Sequence, residues 1–162
     1  DMIKREASLG YVYRLAKKSE DMLRATLAGD TEPMEQILEL THDTETPILS
    51  YNHETELSAV VNLAYLTARD FYRVEREEKA GKGFADFIFY PELLPAEDGI
   101  ILELKVDHSP EEAIAQIKEK NYALRFTEKR MQGVRKPQRI LLVGIGYDRE
   151  KKKHRCKVEE LL

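Results

Sequence analysis

Apolar and polar positions alternate with a helical period at the start of the chain and with a strand period in its middle. Tyr11, Val12, Leu15 and Ala16 recur at helical spacing, and Met22, Leu23, Ala25, Thr26 and Leu27 continue the stripe up to Gly29-Asp30. Thr31 reads as a helix cap with Pro33 in the first turn, and Met34, Ile37, Leu38 and Leu40 form the next apolar stripe until Thr46-Pro47. A further helix spans 52–70, capped by Asn52, with Leu57, Val60, Val61, Ala64, Tyr65 and Ala68 on its face. The pattern then changes. Phe71–Glu75 is short and alternating, Phe84–Tyr90 is apolar and aromatic, and Ile100–Val106 is aliphatic and β-branched. Pro95 and Asp98-Gly99 supply turn chemistry between the last two.

Ser109-Pro110-Glu111-Glu112 has the form of a helix start, with a Ser cap, a first-position proline and acids in the first turn. Ala113, Ile114, Ile117 and Ala123 lie near one face of the helix that follows. Arg139–Tyr147 contains the unbroken apolar run Ile140-Leu141-Leu142-Val143, the mark of a buried strand, and Lys151–Val158 can pair back on it. This order predicts an α/β fold: a mixed central sheet flanked by helices, preceded by a helical extension. The expected division is 1–48 as extension or linker and 49–162 as the main domain. Since the sequence opens on Asp1 with a helical pattern close behind, a fragment of a longer protein is expected.

Charge narrows the picture only locally. Charged residues make up 35% of the chain, yet the net charge is −4, so overall charge does not point to nucleic acid. One segment departs from this. Lys118–Arg139 carries eight Lys or Arg against two Glu, with Tyr122 and Phe126 interleaved. Lys118, Lys120, Arg125, Lys129 and Arg130 are therefore candidates for a phosphate-backbone track, weighed against a solvated helix face. Lys151-Lys152-Lys153 with Arg155 and Lys157 reads instead as an edge strand protected by charge. The single cysteine, Cys156, excludes an internal disulfide and fits a reducing, cytoplasmic setting. His42, His53, His108 and His154 have no metal-ligand spacing, and no run is long and apolar enough to span a membrane.

The sharpest chemical signal joins two strands. Sixteen residues lie between Asp86 and Glu103, enough for strand, loop and strand. Glu103 and Lys105 point to one face while Leu102, Leu104 and Val106 point to the other. Glu-x-Lys on a strand is usually a solvated ion pair of little energetic worth. Here it lies on a strand that looks buried, where charge is unexpected. Asp86 enters the neighbouring strand after Gly81 and Gly83, and Gln116 sits on the following helix, within reach of the strand ends. Two carboxylates and an ammonium on one face suit a hard divalent cation and an anionic substrate.

The stretches GKGFADFIFYP, IILELKVD and EEAIAQIKEKNYA resemble the PD-(D/E)XK nuclease superfamily, more narrowly the nuclease-like domain at the C-terminal end of bacterial AAA-ATPase-like proteins. The resemblance spans roughly Tyr51 to Tyr147. It implies a restriction-endonuclease-like core and a metal-dependent nuclease with DNA as the expected substrate. Magnesium, with manganese as its substitute, would be held by Asp86, Glu103, the carbonyl of Leu104 and the helical acid Glu54, with Glu56 competing for that role. Lys105 would position the attacking water and neutralise phosphate, and Gln116 would orient the site. The implied partners are nucleic acid and an ATPase domain of the same longer chain, and a homodimer would suit paired nicks in a duplex. The alternative is a catalytically silent module that binds nucleic acid or a partner. Two positions depart from the family pattern: Ala85 stands where proline is expected, and Lys120 stands where a tyrosine often follows the helix glutamine, the tyrosine here being Tyr122.

Overall fold

The computed structural model describes the backbone of residues 2–49, 54–78, 85–120 and 122–161, and the side chains of 9–43, 57–76, 87–120 and 122–161. Three helices come first: α1 (Met2–Ala28), α2 (Thr31–Leu49) and α3 (Glu54–Ala64). Strands β1 (Tyr72–Glu78), β2 (Ala85–Pro91) and β3 (Gly99–Val106) follow. Helices α4 (Pro110–Glu119) and α5 (Ala123–Lys129) precede β4 (Ile140–Asp148) and β5 (Lys153–Glu160).

The five strands form one sheet in sequential order, β1-β2-β3-β4-β5. All neighbours are antiparallel except β3 and β4, which run parallel. A parallel pair needs a crossover, and α4 with α5 provides it. The sheet is therefore mixed and flanked by helices, in the restriction-endonuclease-like arrangement.

Strand alternation sorts the core into two layers. Phe87, Phe89, Ile100, Leu102, Leu104, Val143 and Ile145 pack on the side of α1–α3. Ile88, Tyr90, Ile101 and Leu142 pack with Ile114, Ile117, Tyr122 and Phe126 on the side of α4 and α5. The first two helices share the sheet's core, since Met22, Ala25, Met34 and Leu38 join the same cluster as Leu57, Phe89 and Leu102. Polar contacts fasten them further: Thr26 Oγ1 and Tyr65 Oη are 2.8 Å apart in the interior, and the partly exposed Arg139 donates to the carbonyl of Leu27 at 2.6 Å.

Local chemistry explains the element ends. Gly29, at φ 70°, closes α1 in a left-handed turn. There the amide of Asp30 bonds to the carbonyl of Ala25 and that of Gly29 to Thr26, satisfying two of the helix's last carbonyls. The hydroxyl of Ser109 accepts from the amide of Glu112 at 3.1 Å and caps α4 as expected. Three sequence expectations shift. The helix α2 runs past Thr46-Pro47 to Leu49, because a proline near a helix end removes only one ladder bond. The long helix expected over 52–70 ends at Ala64 and continues as a 3-10 turn, Leu66–Asp70. The helix starting at Ser109 stops at Lys120, and Ala123 belongs to a separate helix. Asn52, His53, Gly81, Gly83 and Phe84 lie outside the described residues.

Both sheet edges are polar. The outer edge of β5 is capped by side chains from α2. The amide of Cys156 donates to Glu35 Oε2 at 2.8 Å, and the amide of His154 donates to Glu39 Oε1. Carboxylates thus occupy ladder positions that would otherwise invite another strand.

Candidate active site

The parity of each strand decides which charges share a face. Glu103 and Lys105 alternate with Leu102, Leu104 and Val106, so they face α4 while the leucines face α1–α3. Glu103 is fully buried, and Lys105 is half-buried at the strand end. In the β2–β3 register Asp86 is the direct partner of Glu103. Directly opposed residues of an antiparallel pair occupy the same face. The side chains of Asp86, Glu54 and Glu56 lie outside the described residues. The backbone register thus places both motif positions on adjacent strands at one end of the sheet.

The parallel neighbour makes room for the helix. Gly144 and Gly146 are the β4 partners of Glu103 and Lys105. A Cβ on Gly144 would overlap the carbonyl oxygen of Pro110, and one on Gly146 would overlap that of His108. Bare backbone at these two positions lets the start of α4 lie directly on the sheet. The helix then carries Gln116 and Lys120, four residues apart and on one side of it, toward β3. Gln116 Oε1 is buried and has no hydrogen-bond partner among the described residues. Lys120 Nζ lies 3.8 Å from Glu103 Oε1.

That last contact was missed by sequence reasoning, which grouped Lys120 with a phosphate track. The spacing of Lys120 from Gln116 was the available signal. Other members of the track also carry partners. Lys118 pairs with Glu159 at 2.7 Å, and Lys129 pairs with Glu75 at 2.8 Å. The Arg125 guanidinium lies over the Tyr122 ring at 5.2 Å, and Arg130 is exposed. Tyr122 is buried in the core under α4 and α5, away from any catalytic assignment. His108 bonds to Glu112 at 2.7 Å on the exposed surface at the start of α4. It lines an open cleft of about 920 Å³ with Arg149, Lys153 and Arg155, and Glu103 is not part of that lining.

The donor chemistry fits a hard cation. Glu103 offers a buried carboxylate, Gln116 an amide oxygen lacking a bonded partner, and β3 the carbonyl of Leu104, all of them oxygen ligands of the kind magnesium prefers. Among the described residues no three His, Cys, Asp or Glu side chains converge as a metal-holding group, so any full ligand set draws on Asp86 or the acids of α3.

The family model described as the PD-(D/E)XK nuclease superfamily matches residues 52–155. The chain belongs to the PD-(D/E)XK nuclease superfamily. No curated protein and no solved structure matches it. Members of this superfamily are in general nucleases that use divalent metal ions. No described helix is long and apolar enough to cross a membrane.

Proposed function

We propose that this domain is a magnesium-dependent nuclease that hydrolyses phosphodiester bonds in DNA. The observation that carries this reading is the full burial of Glu103 on the face it shares with Lys105, in register with Asp86. A buried carboxylate without functional use is costly, and strand positions of this depth are normally apolar.

In this reading Asp86, Glu103, the Leu104 carbonyl and Glu54 hold the metal, with Gln116 orienting the carboxylate end of the site. The bound ion would supply a more acidic water and a clamp on phosphate oxygens. Lys105 places a cation beside the scissile phosphate and orients the water by hydrogen bonding. Its half-buried stem, fixed by strand β3, limits the conformations available to its ammonium. Arg125 and Arg130 are the candidates for backbone contacts beyond the site, with Lys118, Lys120 and Lys129 exchanging their carboxylate partners for phosphate when substrate arrives. In this reading residues 49–162 form the nuclease-like domain and residues 1–48 its helical extension, and the family model matches 52–155. A linked ATPase domain, a cytoplasmic setting and a homodimer for paired nicks belong to the same proposal.

The test is a cleavage assay on mixed single- and double-stranded DNA with magnesium, comparing wild type, Asp86→Asn and Glu103→Gln. Loss of cleavage in both variants, with unchanged circular dichroism, is the expected result. Equal activity in all three would overturn the assignment. Nucleic-acid binding by wild type with no cleavage under any divalent ion would favour a silent binding module.

A further inference from the structure

We infer that Lys120 is a tethered counter-ion for the metal site, which holds Glu103 in the metal-free protein and competes with the divalent cation for it. The inference rests on the nuclease reading of Glu103 and adds a residue to it. Glu103 is 0% exposed, and a carboxylate at that depth needs a compensating positive charge whether or not metal is present. Lys120 brings one. It caps the C-terminus of α4, where a cation also suits the helix dipole, and its ammonium lies 3.8 Å from Glu103 Oε1.

Three features make this contact exchangeable. The separation exceeds hydrogen-bond length, so the attraction is Coulombic and carries no strict geometry. The Lys120 side chain is 27% exposed, so its ammonium reaches solvent by rotating about its own stem. The Tyr122 ring, 5.9 Å from the ammonium, offers that cation a second surface. A divalent ion reaching Glu103 meets a like-signed charge at that carboxylate and must displace it. Gln116, one helical turn earlier and with a buried unbonded oxygen, marks the same stretch of α4 as the cover of the site.

The consequence is a threshold. The free site stays neutralised and folded at low metal, and occupancy begins only when the cation out-competes the lysine. The chain thereby avoids the repulsion that clustered carboxylates otherwise bring to a metal-free nuclease core.

Calorimetric titration with magnesium alone, on wild type, Lys120→Met, Lys120→Arg and Glu103→Ala, tests this without any cleavage readout. Lys120→Met should bind magnesium at least about tenfold more tightly, because one nearby positive charge is gone. Its metal-free melting temperature should fall and be restored by magnesium. Lys120→Arg keeps the charge and should bind as wild type does. Equal or weaker binding by Lys120→Met, with binding still lost in Glu103→Ala, overturns the competition and leaves the nuclease reading standing. No binding by any form, Lys120→Met included, overturns the nuclease reading and this inference with it. Should Lys120→Met fail to fold, Lys120→Gln replaces it in the same titration.

Discussion

Asp86 and Glu103 are direct cross-strand partners, one on β2 and the other on β3. Their pairing puts two acid positions on the same face of a sheet whose other face is filled by Phe87, Leu102 and Leu104. Lys105 follows on that face two residues later, and α4 lies across it.

The glycine pair in β4 controls how closely α4 approaches those charges. Gly144→Ala would drive a methyl group into the Pro110 carbonyl and the Ile114 side chain. The expected loss is about 1–3 kcal/mol of stability, the usual cost of overpacking. Magnesium affinity should rise rather than fall, since Lys120, the cation's competitor at Glu103, rides on the displaced helix. Urea denaturation and calorimetry on the same sample measure both. An unchanged midpoint would mean that α4 is free to move away.

Loss of the Ser109 cap should act on the same start of α4. Ser109→Ala removes the acceptor for the amide of Glu112 and should cost about 1 kcal/mol. Ser109→Asp should retain most of that stability, which thermal melting can compare directly.

Edge capping by α2 makes a different prediction. Glu35→Ala strips the acceptor from the Cys156 amide and exposes a ladder position of β5. A loss of about 1–3 kcal/mol is expected, because the acceptor is charged. Light scattering should also detect self-association that wild type does not show, since an uncapped edge pairs with other strands. A monodisperse variant of wild-type stability would rule out this role for Glu35.

Stability should fall on mild acidification. Burial pushes the imidazole of His154 down to about 3 from an ordinary 6.5, with a smaller effect from nearby His42, and burial lowers His42 itself. Between these values the unfolded chain takes up protons that folded His154 refuses. The stabilisation is complete above pH 6.5 and drains away as pH falls toward 3. Glu39 opposes this, because burial raises its carboxyl above 4.5 and the folded state then holds that proton better at acid pH. The decline should therefore be steepest between pH 6.5 and roughly 5, about 2 kcal/mol for one histidine. Chemical denaturation at pH 7 and pH 5 would show it. His154→Leu should flatten the dependence, and a profile as steep as wild type in that variant would point to other groups.

Much of the fold was legible in the chain because strand burial writes itself as pattern. The Ile100–Val106 run has aliphatic residues on both faces, interrupted by two charges of one parity, and β3 spans Gly99–Val106. The Ser109-Pro110 start of α4 was legible for the same local reason, a cap and a ring-fixed dihedral acting within one turn. The break at Lys120 was not. Helix propensity continues through the segment, and burial of Tyr122 and Phe126 against Tyr90 and Ile101 outweighs it by turning the chain into α5.

Sequence by itself determined the parity of Glu103 and Lys105, the cap of α4, the mixed composition of the sheet and the lone cysteine. These depend on neighbours along the chain, where covalent geometry sets the spacing. Tertiary structure alone decided that Asp86 stands opposite Glu103 with no offset, that Gly144 and Gly146 lie beside the charged pair, and that Lys120 meets a buried carboxylate. Each of those depends on strand register or helix docking, and both are chosen by the packing of the whole core rather than by any local run of residues.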